Sequence, residues 1–96
     1  MTEQIINVER VEHIINLFGS FDENIKLLER EYGVHIVCRD TELKICGEAE
    51  AVLHAKAAVE SLLLLAARGE QISQQNVNYV ISLVRDGQQE LIAQMG

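Results

Sequence analysis

The stretch Leu17-Phe18-Gly19-Ser20-Phe21-Asp22-Glu23-Asn24-Ile25-Lys26-Leu27-Leu28-Glu29 decides how this chain folds. A run with helical spacing closes at Gly19, and two residues later an acidic helix start follows at Asp22-Glu23. Glycine suits the left-handed residue that ends a helix. Ser20-Phe21-Asp22-Glu23 has the form of a capping box, in which Ser20 and Glu23 would each satisfy the other's orphan amide. Asp22 and Glu23 also complement the positive end of the helix dipole. The stretch is a helix–tight turn–helix joint. Joints of this kind can grip a phosphate backbone, but this one carries acids where a grip would want bases.

Upstream, Glu3–Ile6 reads as a first strand and Asn7 as an N-cap. Val8, Val11, Ile14, Ile15 and Phe18 recur at helical spacing behind it. Downstream, Ile25, Leu28 and Tyr32, with Leu27 alongside, make a buried stripe that Gly33 ends. Val34–Arg39 alternates as a half-buried strand, with Val34, Ile36 and Cys38 on one face. Asp40-Thr41-Glu42 is a turn, and Leu43–Cys46 returns as a strand that ends at Gly47. Ala49–Arg68 is a long helix with Ala49, Val52, Ala55, Val59, Leu62, Leu63 and Ala66 on its core side. Leu62–Leu65 reads as core, with Leu64 the member to emerge at the surface. After Gly69, Ser73 caps a last helix through Val84, built on Val77, Val80, Ile81 and Val84. Asp86-Gly87 breaks it. The order is β-α-α-β-β-α plus a C-terminal helix, which two-layer packing turns into an α+β fold with a three-stranded antiparallel sheet.

Composition narrows the function. Ninety-six residues suit one domain, and 48% hydrophobic residues suffice for a core. Fifteen acids against eight bases give a net charge of −7, which repels the phosphates that Lys and Arg would neutralise. Met1-Thr2-Glu3-Gln4 lacks the basic start of a secretory signal. The apolar run Leu62–Ala67 is far short of the ~20 residues of a membrane span. Two cysteines without secretory features suit a reducing cytoplasm. Strand parity puts Cys38 inward and Cys46 outward, so no bridge is expected between them.

Catalytic chemistry has no foothold. None of the six glycines is followed by Lys-Ser or Lys-Thr, so the P-loop is missing. His13, His35 and His54 lie on three different elements without a second ligand at metal spacing, so no metal site is expected. Glu9 with Glu12, and Glu48 with Glu50, read as solvated faces, since nothing apolar surrounds them to raise a pKa. Cys46 has no orienting partner for nucleophilic work.

The element order and the tight turn resemble a type I KH domain, whose Gly-x-x-Gly turn clamps a nucleic-acid backbone. Here the turn is Gly19-Ser20-Phe21-Asp22, with Asp at the fourth position and no base inside. Lys26 and Arg30 on the following helix, and Arg39 and Lys44 on the hairpin, are the nearby cations. A narrower resemblance runs from Ile5 to Val84. Leu17-Phe18-Gly19, Asp22-Glu23-Asn24-Ile25, Leu28-Glu29, Gly33-Val34 and Glu42-Leu43-x-Ile45-x-Gly47 look like the N-terminal domain of the PhoH-like ATPases, bacterial phosphate-starvation-inducible proteins. Asp40-Thr41-Glu42 departs from the Gly-Asn-Glu of that family.

The resemblance implies a KH-like accessory domain over residues 1–86. Residues 87–96 would be a tail, or the start of a linker to a separate C-terminal P-loop ATPase domain that would hold ATP and Mg. It implies a non-catalytic role beside an ATPase linked to RNA metabolism, in a cytoplasmic parent that forms homo-oligomeric rings. The partners would be that ATPase domain and RNA or a protein of RNA processing. With −7 charge and an acidic turn, protein contact is favoured over RNA contact. The alternative is a degenerate KH module that binds single-stranded RNA weakly through Gly19, Ser20, Phe21 and Asp22, with Lys26 and Arg30 behind them.

Overall fold

The computed structural model describes residues 1–85. The chain runs β1 (Thr2–Asn7), α1 (Val11–Phe18), a single 3-10 turn (Ser20–Asp22), α2 (Glu23–Tyr32), β2 (His35–Arg39), β3 (Glu42–Gly47), α3 (Ala49–Ala67) and α4 (Gln74–Arg85). The expected order is present, with the extra C-terminal helix. The reading of residues 87–96 as a tail or linker lies outside the described residues.

Alternation builds the sheet. Its strand order is β1-β3-β2 and both pairings are antiparallel. Ile6 pairs with Leu43, Gln4 with Ile45, and Ile36 with Ile45, so one face gathers Ile6, Ile36, Leu43 and Ile45. All four are buried. The helices cover that face with Leu17, Leu28, Val52, Val59 and Leu62, each fully buried. Each such side chain contributes about 1.5–3 kcal/mol by leaving water. The other face is open, with Ile5, Lys44 and Val37 forming a row across the three strands.

The helix ends follow local chemistry. Gly33 adopts the left-handed conformation (φ 67°, ψ 38°) and its N–H reaches the Glu29 carbonyl at 2.8 Å. Before α4, Ser73 Oγ accepts the Asn76 N–H at 3.4 Å, while Asn76 Oδ1 accepts the Ser73 N–H at 3.0 Å. This is a reciprocal capping box with Asn in the third helical position. Val77, Val80, Ile81 and Val84 then bury one side of α4 against the core.

Several expectations need correction. Asn7 is the last residue of β1, and α1 starts only at Val11 after Arg10. Of the expected stripe on this helix, Ile14 is buried, with Leu17 beside it, while Val11 and Ile15 face water, so the buried face is narrower than the spacing predicts. The hairpin turn is the two residues Asp40-Thr41, because Glu42 already pairs with Arg39. Ala49 is exposed at the start of α3, and Ala58 and Ser61 join its buried side. Leu64 does emerge at the surface.

The cysteines reverse their expected burial: Cys38 is exposed and Cys46 half-buried, both free. Cys38 keeps its parity but sits near the end of an edge strand. Cys46 faces outward on the central strand and is flanked by Glu3 and His35. Position across the sheet therefore outweighs parity. The Cys38 Sγ donates to the Asp40 carbonyl at 3.6 Å. Partial burial of the sulfur, and then the Asp40 carboxylate, push its pKa above the ordinary thiol value. A raised pKa means less thiolate at neutral pH, hence slower alkylation than an exposed position suggests. Asp40→Asn removes one cause, and Asn tolerates the positive φ of 56° at that residue. Alkylation of Cys38 in the folded protein at pH 8, followed by mass spectrometry, should therefore be faster in Asp40→Asn than in the parent.

Candidate nucleic-acid interface at the α1–α2 turn

The joint is narrower and more strained than its sequence suggests. Gly19 has φ 76° and ψ −173°, a region open essentially to glycine alone, and its N–H still reaches the Ile15 carbonyl at 3.1 Å. A Cβ at Gly19 would stand 2.6 Å from Asn24 Nδ2. Phe21 (φ 55°, ψ 29°) and Asp22 (φ 59°, ψ 23°) follow in the left-handed region. That conformation costs roughly 1–2 kcal/mol for each L-residue with a Cβ. Asp22, not Ser20, immediately precedes α2, and it makes no side-chain cap bond. The expected capping frame is thus displaced by the left-handed pair. The Phe21 side chain gains nothing from packing, for it is 92% exposed at the tip.

Two asparagines tie the joint to the segment before α4. Asn24 is 1% exposed, and its Nδ2 donates to the Ile72 carbonyl at 3.2 Å. Its Oδ1 is buried without a partner among the described residues. Asn16 receives the Ile72 N–H at 2.8 Å and donates to the Glu70 carbonyl at 2.7 Å. A polar groove of about 780 Å³ lies here, with Ile15, Gly19, Glu23 and Asn24 on one wall and Gln71 and Ser73 on the other.

The electrostatics oppose a phosphate. Asp22 and Glu23 are exposed at the α2 N-terminus, where the helix dipole would otherwise attract an anion. Glu29 Oε2 accepts the Ile36 N–H at 2.9 Å, so a third carboxylate occupies the seam between α2 and the β2 edge. That bond uses a β2 amide not taken by β3. Lys26 and Arg30 are exposed further along α2. Lys44 stands apart on the open sheet face, 3.3 Å from Glu3.

Gly19, Phe21 and Asp22, with the Ser20 backbone between them, form one turn as expected, and Lys26 and Arg30 lie on the helix that leaves it. Sequence reading missed Ile15, Asn16, Asn24 and Glu29. Asn24 offered a signal, being an amide beside Ile25 within an otherwise apolar stripe. Among the described residues, no group of three or more His, Cys, Asp or Glu is placed to hold a metal, and no helix is long and apolar enough to cross a membrane.

Comparison with known proteins places this geometry. No family model matches the chain. By fold the chain is a KH-like domain. It aligns with Dim2p from Pyrococcus horikoshii OT3 at TM-score 0.65 and 19% identity, covering 82% of this chain and 47% of that one. It also aligns with a chain of the a/eIF2alpha–aDim2p–rRNA complex of that organism, at TM-score 0.68 and 20% identity, covering 88% and 48%.

In sequence the chain is similar to the PhoH-like proteins. It is 27% identical to the PhoH-like protein of Bacillus subtilis (strain 168) over 99% of its own length and 31% of that protein. It is also 27% identical to that of Mycobacterium tuberculosis (strain ATCC 25618 / H37Rv) over 74% of its length and 20% of that protein. The chain thus spans under a third of the relatives it matches.

The strain at the tip is measurable. Phe21→Gly should leave stability unchanged or raise it by up to ~1 kcal/mol, since relief of the left-handed conformation offsets the backbone entropy of glycine. Gly19→Ala should lower stability by about 2 kcal/mol or more, through its φ and the clash with Asn24. Urea unfolding followed by circular dichroism checks both. A clear loss of stability in Phe21→Gly would mean that the aromatic ring is supporting the fold.

Proposed function

We propose that this chain is a non-catalytic, KH-like accessory domain at the N-terminal side of a PhoH-like protein, positioning RNA or a protein partner beside an ATP-hydrolysing module. The supporting observation is the extent of the match: nearly all of this chain corresponds to only 31% of the Bacillus protein. Nucleotide chemistry would belong to the remainder, because no glycine in this chain opens a Gly-Lys-Ser/Thr motif. ATP and Mg would therefore be cofactors of that remainder. A cytoplasmic setting suits two unbridged cysteines.

Within this role the domain favours a protein contact at the α1–α2 turn. Asp22 and Glu23 flank the amides that a nucleic-acid backbone would need and Glu29 adds a carboxylate at the seam with β2, while Phe21 offers an exposed aromatic anchor of the sort that protein interfaces use. A second reading has its own support, since one solved structure of this fold is a complex that contains rRNA. In that reading Phe21 stacks on a base, with Lys26 and Arg30 contacting phosphates.

Titration with a labelled single-stranded RNA at physiological salt separates the two. The chain should bind no better than the ~10⁻⁴–10⁻⁶ M range of non-specific contacts. Asp22→Gly with Glu23→Lys should tighten binding and steepen its salt dependence. Sub-micromolar, sequence-selective binding by the parent would establish the RNA reading. Calorimetry with ATP should show no binding, and stoichiometric uptake would place nucleotide chemistry in this chain.

A further inference from the structure

One buried polar atom near the turn is left over. Asn24 is 1% exposed, and its Nδ2 donates to the Ile72 carbonyl at 3.2 Å. A carbonyl only accepts, so this bond fixes which end of the side-chain amide is nitrogen. The other end, Oδ1, is therefore an acceptor, and it is buried with no donor among the described residues. Buried acceptors are nearly always paired, because burial without a partner forfeits the bond to water.

Asn24 lines the polar groove of about 780 Å³ between the α1–α2 joint and the segment before α4. The rest of the lining shares its character. Asn16, Gln71, Gln74 and Gln75 bring side-chain amides. Glu23 is the one charged residue among the described residues of the lining, and it is exposed. Asp22 and Glu70, also exposed, adjoin lining residues in the chain. The groove thus combines an unmet acceptor with a carboxylate and has no base in its wall.

These groups sort the ligand classes. A phosphate or a carboxylate would set acceptors against an acceptor and its charge beside Glu23. An apolar group would leave Oδ1 unmet. A donor that carries positive charge answers both. Of the two cationic side chains, arginine fits better. Its guanidinium presents N–H donors in a planar fork and is more weakly hydrated than an ammonium, so one group can serve an amide oxygen and a carboxylate together. The net charge of −7 attracts such a group at longer range. Gln71, Gln74 and Gln75 are exposed, so the outer wall can rearrange around an entering side chain.

We propose that this groove receives an arginine side chain of a protein partner, with Asn24 Oδ1 as the buried acceptor and the Glu23 carboxylate as the counter-charge. The proposal rests on the protein-contact reading of the turn and names the chemistry that the partner carries there. The same Asn24 amide holds Ile72, so a donor at Oδ1 polarises the bond from Nδ2 and steadies the segment that leads into α4.

NMR titration of the full chain with a capped, glycine-rich peptide holding a single arginine tests this. Saturable shifts are expected at Gly19, Glu23, Ile72 and the Asn24 side-chain amide, in the ~1 mM affinity range suited to one side chain. A lysine peptide should bind less tightly. A citrulline peptide, which keeps the shape without the charge, should not saturate. Glu23→Gln should weaken the arginine peptide about 2- to 5-fold, the worth of one exposed ion pair. Gln71→Lys, at an exposed position of the wall, should weaken it at least as much and carries the test if Glu23→Gln disturbs the start of α2. Glu50→Gln removes the same charge at the start of α3 and should leave binding unchanged. Arginine shifts that are absent, that spread over the acidic surface, or that survive both Glu23→Gln and Gln71→Lys would overturn the proposal. So would a lysine or citrulline peptide that binds as tightly. Failure of the protein-contact reading itself looks different: single-stranded RNA would then bind the turn below micromolar, whatever the arginine peptide does.

Discussion

The close approach of Gly19 to Asn24 is the constraint on which the arrangement of helices depends. Asn24 occupies the space a Cβ at residue 19 would fill. From there its amide reaches the Ile72 carbonyl, nearly fifty residues along the chain. Asn16, on the preceding helix, holds the Ile72 amide and the Glu70 carbonyl. Two side chains from the α1–α2 joint therefore satisfy three backbone groups of the segment that aims α4. A buried backbone group left unpaired costs about 1–3 kcal/mol, which applies to the buried Ile72 carbonyl bond and in part to the Ile72 amide, so this polar tie adds a directional constraint to the apolar packing of α4. The turn is a structural keystone as well as a candidate contact surface.

That double duty explains why fold and charge point in different directions at the same residues. The KH-like backbone needs the glycine and the tight reversal, and both are kept. It does not need bases there, and this chain has Asp22 and Glu23 instead. The Glu29 carboxylate is committed to a β2 amide, so its charge comes with the hydrogen bond that holds α2 to the sheet edge. Removing that acid to favour a polyanion would free a strand amide. The acidic character of the seam is thus partly a consequence of how the fold is closed.

Much of this fold was legible because it is periodic. Alternation in residues 34–46 marked the hairpin, the long apolar run marked α3, and Ser73 marked the start of α4. The failures share a cause: each turned on where an element sits, which local pattern does not encode. Cys38 and Cys46 have the expected parity and the opposite burial, since one lies on an edge strand and the other on the central strand. The Ser20 capping frame looked complete in sequence, yet two left-handed residues moved the helix start to Glu23. For the candidate site, the turn residues and the cations on α2 were readable. The asparagine tie and the Glu29 bond were not, because they join residues seven to fifty-six apart.

The left-handed Phe21 and the exposed leucines of α3 can be weighed against each other as signs of association. Strain at Phe21 is local: its left-handed backbone serves the tight reversal, while its exposed ring gains nothing from packing. Exposure on α3 is extended, spanning three turns beside the outer edge of β1. A single projecting ring on an acidic rim suits a small, transient contact that charge can steer. Leu53 and Leu64, with the exposed Glu60 between them, carry no such strain. The two surfaces rest on different elements, the α1–α2 turn and the β1–α3 side. Occupation of one would therefore leave the other open, and the strained tip remains the sharper sign of a contact.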